Sequence, residues 1–207
     1  MLVASPSIGL NFPVRLTHNL AQLPKNPLPA GYSFSGYLPG DEQTWLEIQR
    51  AAEPDGGMTA EVFNAEYSCY QPPLSASQFY VLAPDGTAVG TATAWFCGKT
   101  CGLIKGLAVA PAHRGCGLEE AIVSEACRRF RNFEYSRGAI QVGSTQVEWI
   151  RALLRAGFCP DVTTGRDRAF WAELGAILAE PCQRQPLSKA TDWLKGVVGR
   201  KREISQV

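Results

Sequence analysis

Apolar positions recur along this chain with two periods, and the switching between them predicts alternating strands and helices. Tyr32 to Leu38 reads as a strand. Pro39-Gly40-Asp41 then opens a helix in which Trp45, Ile48 and Ala52 share a face, with Asp41 and Glu42 suited to its N-terminal dipole. Pro54-Asp55-Gly56-Gly57 ends it, and a second short helix is predicted from Thr59 to Tyr67. Three strands follow, Phe79 to Ala83, Ala88 to Phe96 and Leu103 to Ala110. The turn Pro84-Asp85-Gly86-Thr87 and the short connection Cys97-Gly98-Lys99-Thr100 join them as an antiparallel meander. After Pro111, Gly117 leads into a helix carrying Leu118, Ala121, Ile122, Ala126 and Phe130 at i, i+3, i+4 spacing. A strand from Ala139 to Val142 comes next, then a helix from about Gln146 with Val147, Ile150, Leu153 and Leu154 inward, ending at Gly157. Phe158 begins a further extended segment, and Asp167 to Glu180 places Phe170, Leu174, Ile177 and Leu178 on one helical stripe. Strands alternating with helices around a hairpin meander give an α/β class with a mixed sheet in one domain, residues 31–180.

Two flanking segments lack this regularity. Residues 1–30 are interrupted by prolines and read as an irregular arm. Residues 181–207 are basic, with Arg184, Lys189, Lys195, Arg200, Lys201 and Arg202 against Asp192 and Glu203. Leu187, Ala190, Leu194 and Val197 would share one face if this tail were helical, packed on the domain or laid on a polyanion or membrane surface.

With 207 residues and 45% hydrophobic side chains the chain can bury a full core, and a net charge of +1 removes any global electrostatic argument for a nucleic-acid partner. There is no apolar run of the roughly 18 residues that a membrane span needs. Met1 to Leu10 lacks the basic start of a secretory signal, so a cytoplasmic location is expected. Seven cysteines and two histidines show no metal-ligand spacing, and reduced thiols are expected throughout, including Cys97 and Cys101 across the hairpin connection.

The chemistry concentrates in Leu107-Ala108-Val109-Ala110-Pro111-Ala112-His113-Arg114-Gly115-Cys116-Gly117-Leu118-Glu119, an apolar strand entering a glycine-containing loop that opens a helix. N–H groups at a helix start have no intrahelical partner, the dipole adds positive potential, and glycines let an anion approach the backbone. Arg114 could add a charge-assisted contact. The loop matches neither the Walker nor the Rossmann pattern.

Arg114-Gly115-Cys116-Gly117-Leu118, following Val109-Ala110-Pro111, resembles the phosphate loop of the GCN5-related N-acetyltransferase (GNAT) superfamily. The helix finishing in Arg155-Ala156-Gly157-Phe158 is similar to that family's penultimate helix, and Gly31-Tyr32 through Pro39-Gly40-Asp41 with Trp45 looks like the opening of single-domain relatives of mycothiol synthase. The resemblance implies a mostly antiparallel sheet whose central strands splay apart, and an enzyme moving an acetyl group from acetyl-CoA to a primary amine, small molecule or peptide, with a homodimer among the assemblies it allows. It implies that the pyrophosphate sits on Gly115, Cys116, Gly117, Leu118 and Glu119, that pantetheine runs along Leu107, Ala108 and Val109, that the Val109 N–H faces the thioester oxygen, and that Gln146 lies near the cofactor arm.

Two positions depart from the family. Glu119 stands where a small residue is usual and would crowd the phosphates, and Leu153 replaces the usual thiolate-protonating tyrosine. Both point to an alternative, a catalytically weakened module that binds a CoA-like ligand or a protein partner for regulation. No base is assigned: Glu61, Glu66 and His113 are candidates, Lys105 could bias the groove towards a negatively charged acceptor, and Trp95, Phe96 and Trp149 could line it.

Overall fold

A computed structural model describes residues 11–67, 74–96 and 99–178. In chain order the elements are β1 (Pro13–His18), β2 (Ser33–Gly36), α1 (Glu42–Ala52), α2 (Ala60–Tyr67), α3 (Leu74–Ser77), β3 (Gln78–Leu82), β4 (Ala88–Trp95), β5 (Cys101–Val109), α4 (Leu118–Asn132), β6 (Arg137–Gly143), α5 (Val147–Arg155), β7 (Cys159–Pro160) and α6 (Gly165–Leu178). The chain divides into two compact units, with the boundary inside β6: Asn19–Ile140 forms one, and the segments on either side of it form the other. None of the described helices is long and apolar enough to cross a membrane.

In the larger unit β2, β3, β4 and β5 pair antiparallel in that order, and β6 joins β5 in parallel from Cys101↔Arg137 to Ile104↔Ile140. The meander read from the turn residues is thus present, in the mixed, mostly antiparallel sheet that the resemblance implied. Helices cover both faces of this sheet. On one, Trp45 and Ile48 of α1 and Phe63 and Tyr67 of α2 pack with Tyr80 and Ala108; each such side chain taken fully out of water contributes roughly 1.5–3 kcal/mol. On the other, Ile122 of α4 touches Gly90, and the Phe130 ring lies so close to Gly102 that a Cβ there would meet it at 2.2 Å.

β5 carries an irregularity that shapes everything near it. Thr91 pairs with Ala108 but Thr93 pairs with Lys105, so Gly106 and Leu107 together oppose a single residue, Ala92. This bulge puts Lys105 and Ala108 on the same face of the sheet. Gly106 sits at φ +57°, and a Cβ there would come within 2.8 Å of the Tyr67 hydroxyl, so the position requires glycine.

The smaller unit corrects one expectation. Pro13–His18, assigned to an irregular arm, is strand β1, paired antiparallel with β7 through Leu16↔Pro160 and Thr17↔Cys159. Its alternation of buried Val14, Leu16 and His18 with Arg15 and Thr17 is the period-2 signal of a strand, masked in sequence by the prolines around it. His18 stacks on Phe158 with centroids 5.2 Å apart, and burial pushes its pKa below 6.5. Helix α5 buries Ile150, Leu153 and Leu154 and ends at Gly157, whose φ of +87° lets Gly157 N–H reach Leu154 O and Phe158 N–H reach Leu153 O. On α6, Phe170 and Leu174 are buried as expected. The predicted tail helix and Cys97 lie outside the described residues.

Candidate active site

β5 leaves the sheet with its last amide turned outward. Ala110 N–H donates to Val89 O at 2.8 Å, so Ala110 faces β4 and, by strand alternation, the N–H and C=O of Val109 point to the other side. On that side the described ladder to β6 stops at Ile104↔Ile140, five residues short of the end of β5. A single 3-10 turn, Pro111–His113, follows, closed by His113 N–H on Ala110 O at 2.9 Å. His113 Nδ1 shares a 2.9 Å hydrogen bond with the Tyr32 hydroxyl, and Cys116 Sγ donates to His113 O at 3.1 Å, so both ends of the loop are tied down.

The loop then enters α4 through two glycines in left-handed conformation, Gly115 at φ +74° and Gly117 at φ +97°. Nothing lies within 4 Å of where a Cβ would stand on either, so the backbone is open to approach. Gly117 is the N-cap residue and offers no side chain, and the first turn's N–H groups have no acceptor within the helix. Open backbone N–H groups at a helix start form a cradle with the chemistry to receive an anion.

Two side chains of the loop make contacts within the chain. Arg114 Nε donates to Val109 O at 3.0 Å and Nη2 to Ala52 O at 2.8 Å, bracing the strand end and the loop against the end of α1. Glu119, whose crowding was anticipated, turns back and accepts the Gly115 N–H at 3.0 Å. One amide of the cradle is therefore already taken by the chain's own carboxylate. Leu107 is half-buried, and Ala108 lies in the core beneath α1 and α2.

On the α1–α2 face, the base candidates are engaged. Glu66 is paired with Lys105, whose ammonium stands 4.6 Å from the centroid of Trp95. Glu61, at the start of α2, is exposed, and a hydrogen bond from Thr59 holds its carboxyl below the usual range. Trp95 borders this cluster, 5.8 Å from Tyr67, whereas Phe96 belongs to an aromatic group with Phe133 and Tyr135. In the smaller unit, Trp149 is half-buried, and Gln146 Oε1 accepts the Gly143 N–H at 3.0 Å, bridging the strand end to the start of α5. Leu153 is fully buried.

Several contributors went unread in the sequence. Tyr32 carries no local signal for its bond to a residue 81 positions away. Trp45 was placed on the inward face of its helix, and nothing in the sequence signals that its buried indole N–H has no hydrogen-bond partner among the described residues. Among the described residues no group of three His, Cys, Asp or Glu side chains is placed to hold a metal ion.

The model of the acetyltransferase (GNAT) family matches residues 43–158. The chain is similar in fold to a GCN5-related N-acetyltransferase from Sphaerobacter thermophilus, with TM-score 0.64 and 21% identity over 73% of this chain and 48% of that one. It is also similar to a GNAT-family acetyltransferase from Colwellia psychrerythraea, with TM-score 0.58 and 11% identity over 74% of this chain and 55% of that one. The chain thus spans about half the length of these structures, and the likeness is one of fold. No curated protein matches it. The family match covers more than half of the sequence and contains the outward-facing strand end, the glycine cradle and the helix it opens, so the chain belongs to the acetyltransferase (GNAT) family.

Proposed function

We propose that this chain transfers an acetyl group from acetyl-CoA to a primary amine. The observation that carries this reading is the continuity of one backbone run: the outward N–H of Val109 leads within eight residues to the open glycine cradle at the start of α4. The residues fit the donor. Backbone N–H groups from Gly115 to Glu119 would take the diphosphate, and Leu107 to Val109 would lie along the pantetheine arm. The amine lone pair attacks the thioester carbonyl carbon, forming a C–N bond as the C–S bond breaks with its electron pair leaving on sulfur. The Val109 N–H stabilises the negative charge developing on the carbonyl oxygen. The nitrogen gives up a proton to a base, and the thiolate takes one from solvent, since Leu153 offers none; a thiol of pKa about 8.5 leaves without a dedicated acid.

The segment from Gly31 to Trp45 supports the narrower likeness to single-domain relatives of mycothiol synthase. Free thiols at Cys116, Cys127 and Cys159 suit the reducing cytoplasm. A second reading, a binding module with little turnover, is favoured by the Glu119 carboxylate on Gly115. Thermal denaturation with acetyl-CoA tests the first step. Saturation to a hundredfold the Kd stabilises by about 2.7 kcal/mol, a rise in Tm of about 5–10 °C for a chain of this size. No shift at millimolar acetyl-CoA rejects the donor site, and a shift without free-thiol release across an amine panel favours the binding module.

A further inference from the structure

On the α1–α2 face of β5, polar groups are buried that the core does not satisfy. Trp45 is 3% exposed and Thr93 is 0% exposed, and neither the Trp45 indole N–H nor the Thr93 hydroxyl has a partner. Gln78, the register partner of Thr93, holds a buried Oε1 that likewise has no partner and can accept from that hydroxyl, whereas an indole N–H only donates, so what is missing is an oxygen with lone pairs for Trp45. Both groups adjoin the bulge. Trp45 Nε1 lies 3.2 Å from the point a Gly106 Cβ would occupy, and Thr93 is the register partner of Lys105. Above them Trp45, Tyr67 and Trp95 form a chain of edge contacts, each 5.8 Å between centroids. The ion pair of Lys105 and Glu66, with side chains 28% and 45% exposed, stands at the solvent edge of this group.

Charge restricts what such a site takes. One cation and one carboxylate disfavour a polyamine and a polyanion alike, whereas a compact zwitterion can replace the pair by matching each member with its opposite. Half-exposed ion pairs are weak in water and exchange partners readily. We infer that this cluster is the acceptor subsite, and that the acceptor is an amine bearing a carboxylate on the neighbouring carbon, an α-amino acid with an apolar side chain. The carboxylate meets Lys105 and the indole N–H of Trp45, the amine faces Glu66, and the side chain lies against Trp95 and Tyr67. This rests on the acetyltransferase reading, which it sharpens.

The test uses matched pairs that differ only in the carboxylate, leucine against 3-methylbutylamine and phenylalanine against 2-phenylethylamine, with the full chain. Saturation-transfer NMR reads acceptor binding without acetyl-CoA, and thiol release reads turnover with it. The expected result is at least a tenfold preference for the amino acid in each pair, falling to within twofold in Lys105→Met and about threefold or more in Trp45→Phe. The acetyl-CoA thermal shift stays the same in Lys105→Met. Equal or better use of the decarboxylated amine overturns the proposal. So does a preference that survives Lys105→Met, or failure of both members of each pair to bind, which leaves the orphaned indole N–H to a water. A normal acetyl-CoA shift alongside any of these results leaves the donor site standing. Binding of the amino acid without an acetyl-CoA shift has the opposite meaning.

Discussion

Helices α4 and α6 both begin with a carboxylate in their first turn, and they use it in opposite ways. At α6 the start is closed: Thr164 Oγ1 accepts the Asp167 N–H at 3.1 Å while Asp167 Oδ2 accepts the N–H groups of Thr163 and Thr164 at 3.1 and 2.8 Å. This is a reciprocal capping box, with the helix end satisfied by its own side chains. At α4 the N-cap is Gly117, no side chain folds over the first turn, and Glu119 instead reaches out of the helix to Gly115. The same local sequence logic, an acid near a helix start, stabilises one end and leaves the other available to an external anion. The absence of a hydroxyl at position 117 and the left-handed glycines decide the outcome.

Closing α4 in the manner of α6 should have the largest effect. Gly117→Thr places a hydroxyl three residues before Glu120, the spacing of a capping box, and adds a side chain to the open approach. Holding a β-branched residue at positive φ costs about 1–3 kcal/mol. Acetyl-CoA affinity is expected to fall at least a hundredfold by calorimetric titration. Retained affinity would show that the donor's diphosphate lies elsewhere.

The second expectation concerns charge alone. Glu119→Gln keeps an oxygen for the Gly115 N–H but removes the negative charge beside the phosphates. A carboxylate about 5 Å from one phosphate charge costs on the order of 1–3 kcal/mol at an effective dielectric between 20 and 80. Affinity should therefore rise about ten- to hundredfold. An unchanged Kd would mean that Glu119 swings away when the anion arrives, and that the contact on Gly115 is only a feature of the free chain.

The fold was legible where local chemistry and tertiary packing agree. Turn residues between Ala83 and Ala88 marked the hairpin, and the i, i+3, i+4 stripes marked α1, α4 and α5, which bury their predicted faces except for the half-buried Ala52 and Val147. The strand-loop-helix proposed as the donor site was legible as a local structure for the same reason, since its glycines and apolar strand are contiguous. What sequence could not supply were the long-range partners. Arg114 reads as an anion ligand, and nothing local announces that it also holds the carbonyls of Val109 and Ala52. Glu66 reads as a solvated carboxylate until the β5 bulge brings Lys105 to the same face. The capping box of α6 was present as Thr164-Gly165-Arg166-Asp167, and placing the helix start at Asp167 passed over it.

The smallest effect should come from opening the closed helix. Thr164→Ala removes the hydroxyl that receives the Asp167 N–H, and loss of such a cap costs about 1 kcal/mol, or a fall of roughly 2–4 °C in Tm for a chain of this length. Acetyl-CoA affinity should not move, because an alanine start offers no glycine cradle and the contacts of Gly115 and Gly117 are untouched. The acid limb of stability adds a second reading. Partial burial alone would raise the Asp167 pKa, but hydrogen bonds from Thr164 and Thr163 outweigh it and hold the carboxyl below 3.8. A depressed folded-state pKa means stability that is present above the unfolded value and is lost as pH falls through the folded one. Denaturant titrations below pH 4 should therefore show a shallower decline in Thr164→Ala than in the parent chain. If instead the variant lost affinity for acetyl-CoA without losing stability, the two helix starts would not differ as their caps indicate.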